Sequence, residues 1–137
     1  MTEETKTDEQ QPPQGTSLVF KRHENFENWY ANNVQYFPTE WDLKLVFGQV
    51  DWEQGKMLVE QHTGMTVDWL QAKMMLYFLT LQVGVYEMQY GELQVPASVV
   101  PPEPLPPSTE DLKSYPAGNR VFEFIKKIRE QMFGSGG

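Results

Sequence analysis

The residues best suited to chemistry in this chain are few, and their spacing argues against a catalytic centre. There are two histidines and no cysteine in 137 residues. His23 stands in the polar run Lys21-Arg22-His23-Glu24, and His62 falls on the polar side of an alternating segment. Neither belongs to an HxxxH, HExxH or carboxylate cluster at ligand spacing, so no metal site is expected. The acids Glu40 and Asp42, or Asp51 and Glu53, are two apart. In a strand they would share a face without being enclosed, which reads as solvated acid rather than an acid/base pair. No glycine-rich phosphate loop or nucleophile elbow is present, and Gly48 has no partner glycines at the needed spacing. Catalytic residues, cofactors and metals are accordingly expected to be none. The paired amides Asn32 and Asn33 could read a ligand or satisfy backbone groups at a bulge, and the second reading is favoured. Trp29, Tyr30, Tyr36, Phe37, Trp41 and Trp52 could stack on bases or sugars. Basic residues are not interleaved with them, so packing or an apolar peptide groove is expected instead.

Bulk composition supports this. Nineteen Asp and Glu against eleven Lys and Arg leave a net charge of -8, which repels phosphate backbones and anionic lipid. Without cysteine there is no disulfide or thiolate site, which fits a reducing cytoplasm. No basic N-region leads into an apolar stretch, so a signal peptide is not expected. The length suits one domain plus tails.

Five segments are expected: a disordered acidic tail over 1–16, a core over 17–95, a proline-rich linker over 96–118, an amphipathic helix over 119–133 and a flexible end over 134–137. The linker assignment rests on six prolines in the twelve residues 96–107. A P-x-x-P ligand is the alternative reading of Pro101 to Pro104. In the core, Trp41, Leu43, Leu45 and Phe47 alternate with Asp42 and Lys44, the period of a half-buried strand. The alternation resumes after Gly55, with Met57, Val59, Met65 and Val67 assigned to one face. Trp29 to Phe37 supplies a third strand, and Leu18 to Lys21 a possible fourth. Asp68 is a helix N-cap with Gln71 at capping-box spacing. The helix it opens should run from Trp69 to about Tyr90 and stop at Gly91.

That helix carries no charge over the thirteen residues 74–86 and, around Met74 to Leu79, reads as apolar all the way round. One sheet covers only one side of a helix, so a second apolar surface is required. Thirteen residues fall short of the roughly 20 needed to span a bilayer. Self-association into a homodimer or higher oligomer is therefore expected, through Met74, Leu76, Tyr77, Phe78, Leu81 and Val85. Gly84 marks either a close helix approach or a bend.

The last helix, from Arg120 to about Phe133 behind Gly118-Asn119, sets Val121, Ile125, Ile128 and Met132 at i, i+4, i+7 and i+11, with Phe122 and Phe124 flanking. It carries net +2 in an acidic chain. It could dock on its own core, join a neighbouring subunit, capture a partner in a groove or lie on a membrane surface. Val121, Phe122, Ile125, Ile128 and Met132 are the expected partner-binding residues. The fold class is α+β: three or four antiparallel strands, a long helix packed on them, a spacer and an amphipathic helix.

The run Tyr30-Ala31-Asn32-Asn33-Val34, the strand Asp42-x-x-Leu45-x-Phe47-Gly48 and a strand entering a helix with Ala72-Lys73 resemble a family of small bacterial and archaeal proteins of unknown function. Its marks are a YANNV start, a D-F-x-L-x-F-G strand and an S-P-x-x-A-K helix opening. The resemblance covers about residues 28–91 and departs at Asp68-Trp69, where the family has Ser-Pro. No residue roles follow from it. In order of elements the chain is also similar to the subunit of the export chaperone SecB, a likeness of topology. The function expected is a non-catalytic oligomeric protein-binding module using an aromatic sheet face and the last helix. The alternatives are a SecB-like holder of unfolded chains and an enzyme whose site is completed across a subunit interface.

Overall fold

The computed structural model describes Gly15 and residues 17–134, so the expected tail over 1–16, Gly15 apart, and the end after Gly134 lie outside the described residues. The element order is β1 (Asn33–Pro38), β2 (Asp42–Glu53), β3 (Lys56–Asp68), α1 (Trp69–Tyr90), α2 (Thr109–Ser114) and α3 (Gly118–Phe133). The strands form a three-stranded antiparallel sheet in the order β1-β2-β3, followed by a long helix and a C-terminal helix, an α+β arrangement. Leu18 to Lys21 form no strand, so three is the count among the described residues. By contacts the chain divides into two units, 1–72 and 73–137.

In the first unit, the β1–β2 turn is held by Thr39. Its hydroxyl accepts from the amides of Trp41 and Asp42, at 3.1 and 3.0 Å, and donates to the Asp42 carboxylate at 2.8 Å. The register pairs Tyr36 with Leu45 and Leu45 with Met65, and Val34 with Phe47 and Phe47 with Thr63. Directly paired residues share a face, so Val34, Tyr36, Leu43, Leu45, Phe47, Met65 and Val67 line one side. At its centre Leu45, 4% exposed, is the one buried hydrophobic residue among those described. Lys44, Thr66, Asp42 and Asp68 lie opposite. Asp42 and Asp68 pair directly, a like-charge arrangement that each offsets with its own donor, Thr39 for one and the Gln71 amide for the other.

The register shifts between Phe47 and Gly48, where Phe47 pairs with Thr63 and Gly48 with Gln61, leaving His62 as an extra residue. A one-residue bulge exchanges the faces of everything beyond it. Met57 and Val59, paired with Trp52 and Val50, thus lie on the side opposite Met65 and Val67, correcting the expectation that all four share a face. Gly48 is required here. A Cβ at this position would lie 2.7 Å from the Glu60 carbonyl oxygen.

Asp68 caps α1 through its carboxylate, which accepts from the Gln71 amide at 2.6 Å. The Trp69 indole N–H donates to the Thr39 carbonyl at 3.1 Å, tying the first helical turn to the β1–β2 turn. The helix ends where Gly91 takes φ +92°, its amide donating to the Glu87 carbonyl.

In the second unit, the stretch read from sequence as linker contains α2. Ser108 and Asp111 form a reciprocal capping box, with bonds of 3.1 and 2.9 Å. α3 begins two residues before the expected Arg120, with Ala117 at the cap and no side-chain cap bond, so Asn119 does not cap it. The contact between α2 and α3 closes over Gly118, where a Cβ would stand 3.3 Å from a Leu112 methyl and 3.5 Å from Pro107.

Candidate functional site

The two histidines are built differently. His23 sits in an exposed turn, where its ring Nδ1 accepts from the Asn25 amide at 3.1 Å. His62, the bulge residue, is half-buried and has both ring nitrogens engaged. Nε2 lies 2.9 Å from the Tyr30 carbonyl, to which it donates, and Nδ1 lies 2.7 Å from the Thr63 hydroxyl. Its ring stacks on Trp29 at 4.9 Å between centroids and 17° between planes. A ring with both nitrogens used inside the chain is a structural clamp, and it draws the segment before β1 towards the bulge. Asn32 completes the joint: its side-chain oxygen accepts from the Val50 amide at 2.7 Å while its own amide donates to the Gly48 carbonyl. For Asn32 this is the backbone-satisfying role expected of the pair. On Asn33 the side-chain oxygen is buried without a hydrogen-bond partner. Gln61 donates to Gln35 at 2.8 Å across β2. Among the described residues no group of three or more His, Asp or Glu is placed to hold a metal ion.

The aromatic residues do not form one platform. Trp29 is on His62, Tyr36 and Phe37 alternate between the two faces of the sheet, Trp41 is in the turn, and Trp52 lies near the far end of the β2–β3 hairpin opposite Met57. Sequence spacing alone could not separate them, because the turn and the bulge decide the faces.

The broadest apolar surface is α1, which has no buried residue. Met74, Leu76, Tyr77, Phe78, Leu81 and Val85 are between 42% and 66% exposed. At about 100° per residue they divide. Met74, Tyr77, Phe78, Leu81 and Val85 make one stripe, while Leu76 falls on the opposite stripe with Leu79, Val83, Tyr86 and Tyr90. Between the stripes run two narrow polar seams, Gln71-Gln82-Gln89 and Lys73-Thr80-Glu87. Over its full length the helix is thus apolar on two opposed sides, which join all the way round only over Met74 to Leu79, where Met75 falls beside the glutamine seam, and a single partner helix cannot touch all six expected interface residues. A Cβ on Gly84 would meet nothing within 4 Å, so no contact among the described residues requires glycine there.

The C-terminal set is partly engaged by its own chain. The proline-rich segment folds along α3, where Pro101 and Pro102 form a shallow groove with Phe124, Ile125, Ile128 and Phe133. Arg129, its side chain 14% exposed, donates from Nε to the Pro101 carbonyl at 2.9 Å and lies 3.7 Å from Glu103. Ile125 and Ile128 therefore share their side with the spacer. All four of Val121, Ile125, Ile128 and Met132 nonetheless remain exposed, at 39%, 46%, 39% and 67%, and Phe122 is half-buried. No helix among the described residues is long and apolar enough to cross a membrane. The Asp111 carboxyl is held below the usual aspartate range by the Ser108 amide and, second, by the Ser108 side chain.

Comparison with protein-family models, with curated proteins and with solved structures found no match.

Proposed function

We propose that this chain is the subunit of a homo-oligomer that acts as a non-catalytic protein-binding module. The observation that carries the reading is α1, a 22-residue helix with two opposed apolar stripes and no buried residue. Fully burying a side chain of this kind contributes about 1.5–3 kcal/mol, and Leu45, the one buried hydrophobic residue among those described, is too small a core to hold a domain of this length alone. Two stripes call for two covers, which a further copy of the chain supplies by helix-on-helix contact. The acidic body disfavours nucleic acid and favours basic protein surfaces. In this reading Val121, Phe122, Ile125, Ile128 and Met132 on α3, with the exposed sheet aromatics, receive the partner, and the absence of cysteine suits a reducing cytoplasm.

A SecB-like holder of unfolded chains is the second reading, favoured by the same exposed α1. It rests on the topological likeness, as membership of the small bacterial and archaeal family rests on the YANNV and D-x-x-L-x-F-G residues.

The test is light scattering coupled to size-exclusion chromatography of the full chain at micromolar concentration. A dimer or larger species is expected. A folded monomer would sink the assembly reading. Failure to slow the aggregation of an unfolded client at equimolar chain would remove the holder.

A further inference from the structure

β1 pairs with β2 only as far as Gly48. Beyond the bulge, Gln49–Glu53 and Lys56–Glu60 continue as a bare two-stranded ribbon, an arrangement marginal in water by itself. Its side chains are not those of a solvated ribbon. Trp52 and Met57 pair on one face at 76% and 63% exposure, beside the pair Val50 and Val59. β3 is an edge strand of 13 residues without proline, and among the described residues nothing pairs with its outer edge. Edges are commonly blunted by prolines, bulges or charged side chains. Here the charges are self-matching: Lys56 and Glu60 lie on the same face at equal distances from Leu58, and neither is in an ion pair among the described residues.

We propose that the outer edge of β3 pairs antiparallel with β3 of a second copy about a two-fold axis at Leu58. In that register Leu58 faces Leu58 of the second copy. Each Lys56 faces a Glu60, giving two cross-strand ion pairs on one face. Met57 faces Val59 on the other, so the apolar row of Trp52, Met57, Val50 and Val59 runs unbroken across the joint. The two bare ribbons become a four-stranded sheet, which removes the marginal element from both copies. This surface is independent of α1 and does not rest on the reading above.

The register is tested by charge reversal in the full chain. K56E sets two Glu–Glu pairs across the axis and E60K two Lys–Lys pairs, and each variant is expected to self-associate through this edge about ten-fold more weakly. An equimolar mixture of the two variants restores opposite charges at both positions and is expected to recover the wild-type assembly in sedimentation velocity, as is the double variant K56E/E60K. A single cysteine is unambiguous in a chain that has none. L58C is expected to form a disulfide-linked dimer under mild oxidation, while L105C, on a residue 88% exposed outside the sheet, does not. If both single reversals assemble like the wild type and L58C cross-links no faster than L105C, the edge is not an interface between copies. If both reversals weaken assembly but the mixture and the double variant do not recover it, the Leu58-centred register is wrong. An oligomer built by α1 alone gives the first of these outcomes, so the failure of either surface is read separately.

Discussion

α1 and α3 are both long helices without a buried residue, yet they meet the problem of exposed apolar surface in different ways. α3 has one apolar stripe, Val121-Ile125-Ile128-Met132, with its lysines on the opposite side, and part of that stripe is shared with the proline-rich segment of the same chain. α1 has two apolar stripes on opposite sides, so its apolar residues cancel as a direction while adding as an area. The lesson is that a single stripe can be served by a short segment folding back, whereas opposed stripes demand two separate surfaces.

The most damaging way to probe this difference is to charge α1. F78E/L81E on one stripe and L79E/V83E on the other are each expected to abolish the contact between copies made through that stripe and lower stability by about 4 kcal/mol or more, since two large side chains lose their cover in every copy. Sedimentation with thermal unfolding at two concentrations reads this, and a pair that changes neither would show that its stripe is uncovered. Next in size, Arg129→Ala is expected to release the spacer from α3 at a cost of about 1–1.5 kcal/mol, because it removes a charge-assisted bond to the solvent-accessible Pro101 carbonyl. Faster proteolysis within 96–107 and faster amide exchange in α3, with oligomeric state unchanged, are the expected readouts. The Glu103 partner, 74% exposed, contributes little of this.

A smaller effect separates the two roles of Gly84. Gly84→Ala meets no atom among the described residues and improves helix propensity by about 1 kcal/mol, so a higher melting temperature is expected. Weaker assembly despite the better helix would locate a helix crossing at that residue.

The smallest effect concerns the support that α2 gives the start of α3. Asp111 has a folded pKa below its unfolded value, so its capping contribution is fully present above the unfolded value of about 3.9 and is lost as the pH falls through the lowered one. Fraying of Thr109–Ser114 in acid, followed by nuclear magnetic resonance shifts, is expected in the wild type and not in Asp111→Ala, whose helix starts already weakened.

Much of the architecture is legible in local chemistry. The alternation of β2, the turn at Gly55, the Asp68 cap and the Gly91 stop each depend on residues a few positions apart, and α1 falls at the expected bounds of 69 and 90. The Ser108-x-x-Asp111 capping box is equally local, but the surrounding prolines favour a linker reading there and hide α2.

What local pattern could not reach is anything set by a partner in space. The bulge at His62 depends on Gly48 lying under the Glu60 carbonyl, twelve residues away, and it alone decides that Met57 and Val59 leave the face of Met65 and Val67. Trp29 and Tyr30 are drawn to His62 across β2, and Arg129 closes on Pro101 from 28 residues on. Short-range propensity acts within a turn of chain and is written in the order of residues. Register and side-chain partners are chosen by which distant groups can satisfy one another at contact, and that choice exists only once the chain has folded.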